Sequence, residues 1–145
     1  GDNAALFNVA GNKLYSNAVF DYEVRPSYDL TIRASDSHPG GFFEDTITVQ
    51  IGNLNDVPIA NNQSVTAVSG GSKTIILSGD SKDAGQVLYY KIVSFPSYGI
   101  LLGEVPHLIY EVPIDYIGSD TFKFKVFDGE YFSEEATITI NVGTP

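Results

Sequence analysis

Thr121-Phe122-Lys123-Phe124-Lys125-Val126-Phe127-Asp128, "TFKFKVFD", alternates apolar and charged side chains. Phe122, Phe124 and Val126 fall on one face of an extended chain and Lys123 and Lys125 on the other, the pattern of a strand with one side in a core and one in water. The same period of two recurs in "DLTIRASD" (29–36), where Leu30, Ile32 and Ala34 share the inner face and Thr31, Arg33 and Ser35 the outer. It recurs again in "DTITVQIG" (45–52) and "ATITINV" (136–142). No segment carries apolar residues at helical spacing over three turns, and the Val, Ile, Thr, Tyr and Phe content favours strands. Many short strands separated by Gly, Pro, Asn and Asp turns predict an all-β chain of antiparallel Greek-key β-sandwiches with almost no helix.

The two halves of the chain end alike. "YDLTIRASDSHPGGFFEDTITVQIGN" (28–53) and "DTFKFKVFDGEYFSEEATITINVGT" (120–144) each run strand, acidic turn, final strand. This internal repeat places a boundary beside Pro58, giving a first repeat over 1–57 and a second over 58–145. The second has room for about seven strands, as a sandwich needs. The first has room for about four, so it is expected to be an incomplete sandwich with open edges. Its opening strands are expected to lie outside this sequence or to come from another chain by augmentation or swapping.

Between the halves lies "NLNDVPIA" (53–60), rich in amide and carboxylate oxygen and closed by a proline that fixes its own φ. A flexible linker would be rich in Gly and Ser. This one reads as a joint meant to be stiff.

The chain of 145 residues has a net charge of −10 from 18 acidic and 8 basic side chains. That balance argues against nucleic acid and against anionic membranes, and favours a cationic partner. No apolar run is long enough to span a membrane, so no direct membrane insertion is expected, and any export signal would lie outside this sequence. The absence of cysteine removes disulfides, thiolate metal sites and a catalytic thiol.

His38 lies in a Gly/Pro turn and His107 beside Pro106, each without a neighbouring nucleophile or ligand cluster. They read as solvent-facing turn residues. With no phosphate loop and no nucleophile elbow, nothing points to an enzyme. What clusters is oxygen at strand ends: Asp21 and Glu23, Asp36, then Asn53, Asn55 and Asp56, then Asp80 and Asp83, then Asp128. One at a time these are turn residues bonded to backbone. Their recurrence at corresponding strand ends points to a site for a hard cation such as calcium, which takes six to eight oxygens.

"FDYEVRPSYDLTIRASDS" followed by "ITVQIGNLNDVP" resembles the later strands of a cadherin repeat, over roughly Phe7 to Pro58. The second half, through "P-x-x-G-x-L" (96–101) and "IYEVPIDYIGSDTFKFKVFDG" (109–129), resembles the cadherin-like, Ig-like tandem repeats of giant bacterial adhesins and surface proteins. The resemblance implies calcium at the junction of consecutive repeats. Carried over by motif, Asp21 and Glu23 would come from the first repeat, Asn53, Asn55 and Asp56 from the connector, and Asp80 and Asp128 from the second. Asn53 stands where an aspartate is usual, Val57 replaces the last asparagine, and Lys82 takes the place of a second acid. Fewer carboxylates imply one or two ions rather than a larger set. Asp36 would serve a different junction, at the other end of the first repeat.

The resemblance implies a non-enzymatic module of the cell surface or extracellular space, engaged in adhesion, homophilic adhesion included, or acting as a spacer. Its partners would be neighbouring repeats of the same chain, with another protein or a surface polysaccharide as further candidates. The competing reading is a carbohydrate- or protein-binding module accessory to a larger secreted protein or enzyme, which would need an aromatic platform from Tyr89, Tyr90, Tyr131 and Phe132. Alternation assigns half of those rings to the core. Asn62-Gln63-Ser64 is a glycosylation sequon by pattern.

Overall fold

A computed structural model describes residues 2–36 and 38–145. The chain divides into two compact units, residues 1–54 and 55–145. Asn55 to Val57, which the sequence boundary assigns to the first repeat, thus group with the second unit.

The first unit opens with a short 3-10 turn, Asp2–Leu6, followed by two hairpins. Strands β1 (Phe7–Ala10) and β2 (Lys13–Ser16) form one, β3 (Ser27–Ser35) and β4 (Phe42–Gln50) the other, both antiparallel. Among the described residues the unit holds four strands, about the number the sequence allows room for. Three rings hold the unit together: Phe7 stacks on Phe20 at 5.2 Å between centroids, and Tyr28 meets Phe20 at 4.9 Å and Phe7 at 5.9 Å. The Arg25 guanidinium covers Tyr28 at 4.4 Å. Of the face expected to point inward, Leu30 is buried beside Tyr28, whereas Ile32 and Ala34 are exposed. The correction has a simple cause. Alternation specifies a face, but burial needs a second layer over it, and beyond Leu30 that face borders an open groove of about 350 Å³ lined by Val9, Leu14 and Ile32 among others.

The second unit is a β-sandwich. Strands β6 (Gln63–Val68), β7 (Ser72–Ile76), β9 (Tyr89–Ser94), β10 (Ile100–Glu104), β11 (His107–Glu111), β12 (Gly118–Phe127) and β13 (Ala136–Gly143) form two sheets, ordered β10-β11-β7 and β6-β13-β12-β9. A small pair, β5 (Ile59–Ala60) with β8 (Gly79–Asp80), closes one edge. One expectation needs correcting: the larger sheet is mixed, because β6 runs parallel to β13. The chain reaches β6 from the connector rather than from a hairpin, so nothing forces it antiparallel to its neighbour.

The core lies between the sheets. Tyr110, Phe122, Phe124, Val126, Ile138 and Ile140 are fully buried. Phe122, Phe124 and Val126 alternate with Lys123 and Lys125 as the pattern requires.

Candidate functional site

The oxygens singled out by the sequence fall in both units. In the second, Asn55 and Asp56 are half-buried and anchored to two loops. The Asn55 side-chain amide donates to Asp128 Oδ2 at 3.1 Å, and the Asp56 backbone N–H donates to Asp83 Oδ2 at 2.8 Å. Asp83 N–H donates to Ser81 Oγ (3.1 Å), Ser81 donates to Gln86 Oε1 (3.1 Å), and Gln86 Nε2 donates to the Asp128 carbonyl (3.1 Å). One continuous network thus ties residues 55–56 to the loop after β8 and the loop after β12.

Asp128 is buried and organises the second of these loops. Its Oδ1 accepts the N–H groups of Glu130 and Tyr131, both at 2.7 Å. Burial raises its pKa, but the Tyr131 and Glu130 N–H groups and the Asn55 amide outweigh that, so the carboxyl titrates below its usual range. Three donors occupy a carboxylate that can take about four.

Asp83, named by the sequence among the strand-end oxygens but not among the motif-derived ligands, meets the connector's backbone at the Asp56 N–H, as Asp128 meets the Asn55 side chain. Asp80 sits in β8 and accepts from Asn61 Nδ2 at 3.0 Å. In the first unit, Asp21 Oδ1 caps a turn by accepting Glu23 N–H at 3.0 Å, and Asp21, Glu23 and Asn53 are exposed. Asp36 Oδ1 accepts His38 N–H at 2.9 Å, with the His38 ring 3.6 Å from Oδ2, both side chains largely in solvent. Among the described residues, no three His, Cys, Asp or Glu side chains gather into a group that could hold a metal ion. The chemistry of the 55–56 region, hard carboxylate and amide oxygens, is nonetheless of the kind calcium takes.

One acid was missed by the ligand reasoning. Asp120 is 3% exposed, and its carboxylate accepts five hydrogen bonds: Ser97 and Thr121 N–H on Oδ1 at 2.9 and 3.0 Å, and Tyr98 N–H, Gly99 N–H and the Tyr110 hydroxyl on Oδ2 at 3.0, 3.0 and 2.6 Å. Burial raises its pKa, and the donors from Gly99, Tyr110, Ser97 and Tyr98 more than reverse this, leaving it lowered. Burial and the Asp120 carboxylate push the Tyr110 phenol up. A Cβ on Gly99 would collide with the Tyr110 ring, the physical reason for glycine there. Both residues stand inside the motifs that carried the resemblance, which was the available signal. Asp120 is a structural hub that fixes the 96–99 turn against two strands.

The aromatic set divides as alternation requires only in β9, where Tyr90 faces Phe124 at 6.3 Å while Tyr89 is exposed. Tyr131 and Phe132 lie in the loop after β12, where no sheet imposes a period of two, and both are exposed. Asn62 of the sequon uses Oδ1 to accept Thr137 N–H at 2.8 Å. Among the described residues no helix is long and apolar enough to cross a membrane.

A family profile described as a bacterial Ig domain matches residues 55–141. No curated protein sequence matches the chain. Among solved structures, the human protocadherin-24 EC1-2 fragment is similar with a TM-score of 0.74 and 18% identity over 100% of this chain and 80% of that one. Drosophila N-cadherin EC1-4 gives 0.70 and 16% over 96% and 40%. The mouse protocadherin-24 EC1-3 fragment gives 0.66 and 19% over 98% and 53%. At these identities the likeness is one of fold, and it is a cadherin-like, Ig-like β-sandwich fold.

Proposed function

We propose, for a chain that belongs to the bacterial Ig domain family, a non-enzymatic adhesion or spacer module of the cell surface or extracellular space, stiffened by calcium at its connector. The observation that carries this reading is the network that clamps Asn55 and Asp56 to the loops bearing Asp83 and Asp128. A spacer has to resist swing at its joints, and a connector bonded through its own side chains and backbone has lost much of that freedom.

The proposed organisation is a partial repeat over 1–57 followed by a full repeat over 58–145. One or two calcium ions would be held by Asn55 and Asp56 with Asp83 and Asp80; the resemblance adds Asn53, Asp21 and Glu23 to the candidate ligands. Asp128, already engaged by three donors, would act chiefly by holding Asn55 and its loop in place. The ion would supply charge that offsets crowded carboxylates on a chain of net −10. Neighbouring repeats of the same chain are the immediate partners in this reading, with another surface protein or a polysaccharide at a distance.

The test is thermal unfolding of the chain in chelator, in a few millimolar calcium and in magnesium, beside Asp56→Ala. An alanine keeps the backbone N–H that bonds Asp83 and removes only the carboxylate. An ion bound at a concentration equal to its Kd stabilises by about 0.4 kcal/mol, and at a hundredfold excess by about 2.7 kcal/mol. The expected result is a calcium-specific rise in Tm that Asp56→Ala abolishes. Superimposed curves in calcium and chelator would remove calcium from the proposal.

A further inference from the structure

Positive charge is scarce in this chain, and the outer face of the larger sheet collects it. Lys123 and Lys125 project from β12 away from the core, and Lys91 from β9 stands directly opposite Lys125 in the ladder. Like charges facing each other across a strand pair repel. Lys123 has Glu135 at 3.7 Å, but among the described residues neither Lys91 nor Lys125 has a carboxylate within ion-pair distance, in a chain with 18 acids.

Instead, both ammonium groups lie over one ring. Lys125 Nζ is 5.4 Å and Lys91 Nζ 5.9 Å from the centroid of Phe132, within the range of cation–π attraction. Phe132 is held there by stacking on Phe127 at 4.6 Å and by Ser133, whose N–H reaches the Val126 carbonyl at 2.8 Å. Tyr89, opposite Phe127 in register and so on the same face, is 60% exposed. The sheet therefore presents an open aromatic ring beside two unneutralised, mutually repelling lysines, with Thr121 and Thr139 outward on the neighbouring ladder.

We infer that this face binds an acidic glycan, a polysaccharide bearing uronate carboxylates. A carboxylate between Lys91 and Lys125 relieves their repulsion and replaces the missing counter-charge. The C–H face of the same pyranose ring lies flat on Tyr89, two residues along β9 from Lys91. An acidic peptide would use the lysines and leave Tyr89 idle. The chain's net negative charge does not forbid binding, because at physiological salt interactions are screened over about 8 Å and the ligand senses the patch it touches. The site goes beyond the spacer reading and needs no calcium.

The test is NMR titration of the full chain, in chelator so that calcium cannot bridge carboxylates, with a short uronate oligomer, a neutral oligomer of equal length, poly-glutamate and phosphatidylserine vesicles. Saturable shifts confined to β9, β12 and the 128–133 loop are expected with the uronate by about 10 mM. Lys91→Gln and Lys125→Gln are each expected to weaken binding about threefold to fivefold, the value of an exposed charge contact. Tyr89→Ala is expected to do the same, while Lys13→Gln in the first unit changes nothing; Tm of each variant checks that it is folded. The inference is overturned by absence of saturable shifts, by shifts that the lysine variants leave unchanged, or by poly-glutamate or vesicles binding as tightly as the uronate with Tyr89→Ala silent. Neutral sugar binding equally well would overturn it too. None of these outcomes bears on the calcium titration.

Discussion

Strand β3 in the first unit buries Tyr28 and Leu30, whereas β12 in the second buries Asp120, Phe122, Phe124 and Val126 at 3% exposure or less. The two strands are of similar length and obey the same alternation. What separates them is the layer opposite. β12 lies in a four-stranded sheet facing a three-stranded one, so each inward side chain meets others, while β3 pairs with β4 alone. Periodicity selects a face; a second sheet converts that face into a core.

The sharpest way to break the contrast is Phe124→Ala. Removing a fully buried ring should cost about 3–5 kcal/mol through lost transfer energy and the cavity left behind, seen as an earlier denaturant midpoint for the second unit's amides in hydrogen exchange. Asp120→Asn comes next. The amide offers one acceptor oxygen where the carboxylate serves five donors, and its NH2 confronts backbone N–H groups, so a loss of about 2–3 kcal/mol is expected; Tyr110→Phe, removing one donor, should lose about 1.5 kcal/mol.

The pH response follows with its sign. Asp120 titrates lower in the folded chain than when unfolded, so its stabilisation is complete above the unfolded value of about 3.9 and is lost as pH falls toward the folded pKa. Tyr110 is shifted the other way, so its contribution is intact below about 10 and is lost as pH rises further. Denaturation curves collected at intervals of pH should show both limbs in the wild type, and Asp120→Asn should flatten the acid one.

The comparison is sharpened by Leu30→Ala in the first unit. With the groove already open beside it, this change should cost less than the roughly 2 kcal/mol at the low end for a buried leucine. First-unit amides should also exchange faster than those of β12 in the wild type. Smallest is Arg33→Gln. Arg33 covers the Phe42 ring at 3.7 Å and reaches Glu44 at 3.8 Å on the surface, and the midpoint should move by less than about 0.5 kcal/mol equivalent.

Much of the fold was legible because one-sided burial imposes period two, and period two survives in any listing of residues. Phe122, Phe124 and Val126 declared their face without help, as did the division of Tyr90 from Tyr89. The parallel partnership of β6 and β13 was not legible, since it joins residues about 75 positions apart through a pairing that leaves no local pattern. The candidate site was legible in composition and only partly in membership. Asp80 and Asp83 look equivalent in "SGDSKD", and a three-residue difference decides which carboxylate meets the Asp56 N–H. Asp120 escaped the ligand reasoning because a buried acid and a ligating acid are the same letter.

By itself, then, the sequence determined the strand-forming segments, their inward faces, the absence of thiol chemistry and the oxygen-rich composition of residues 53–60, because each of these follows from side-chain chemistry acting over a few neighbouring positions. Only the tertiary structure decided which acids are spent inside the protein, which lysines lie over an aromatic ring instead of beside a carboxylate, and how much of each inward face is covered. Those depend on what stands across a gap of a few ångströms from residues far away in the chain, and no local pattern encodes that distance.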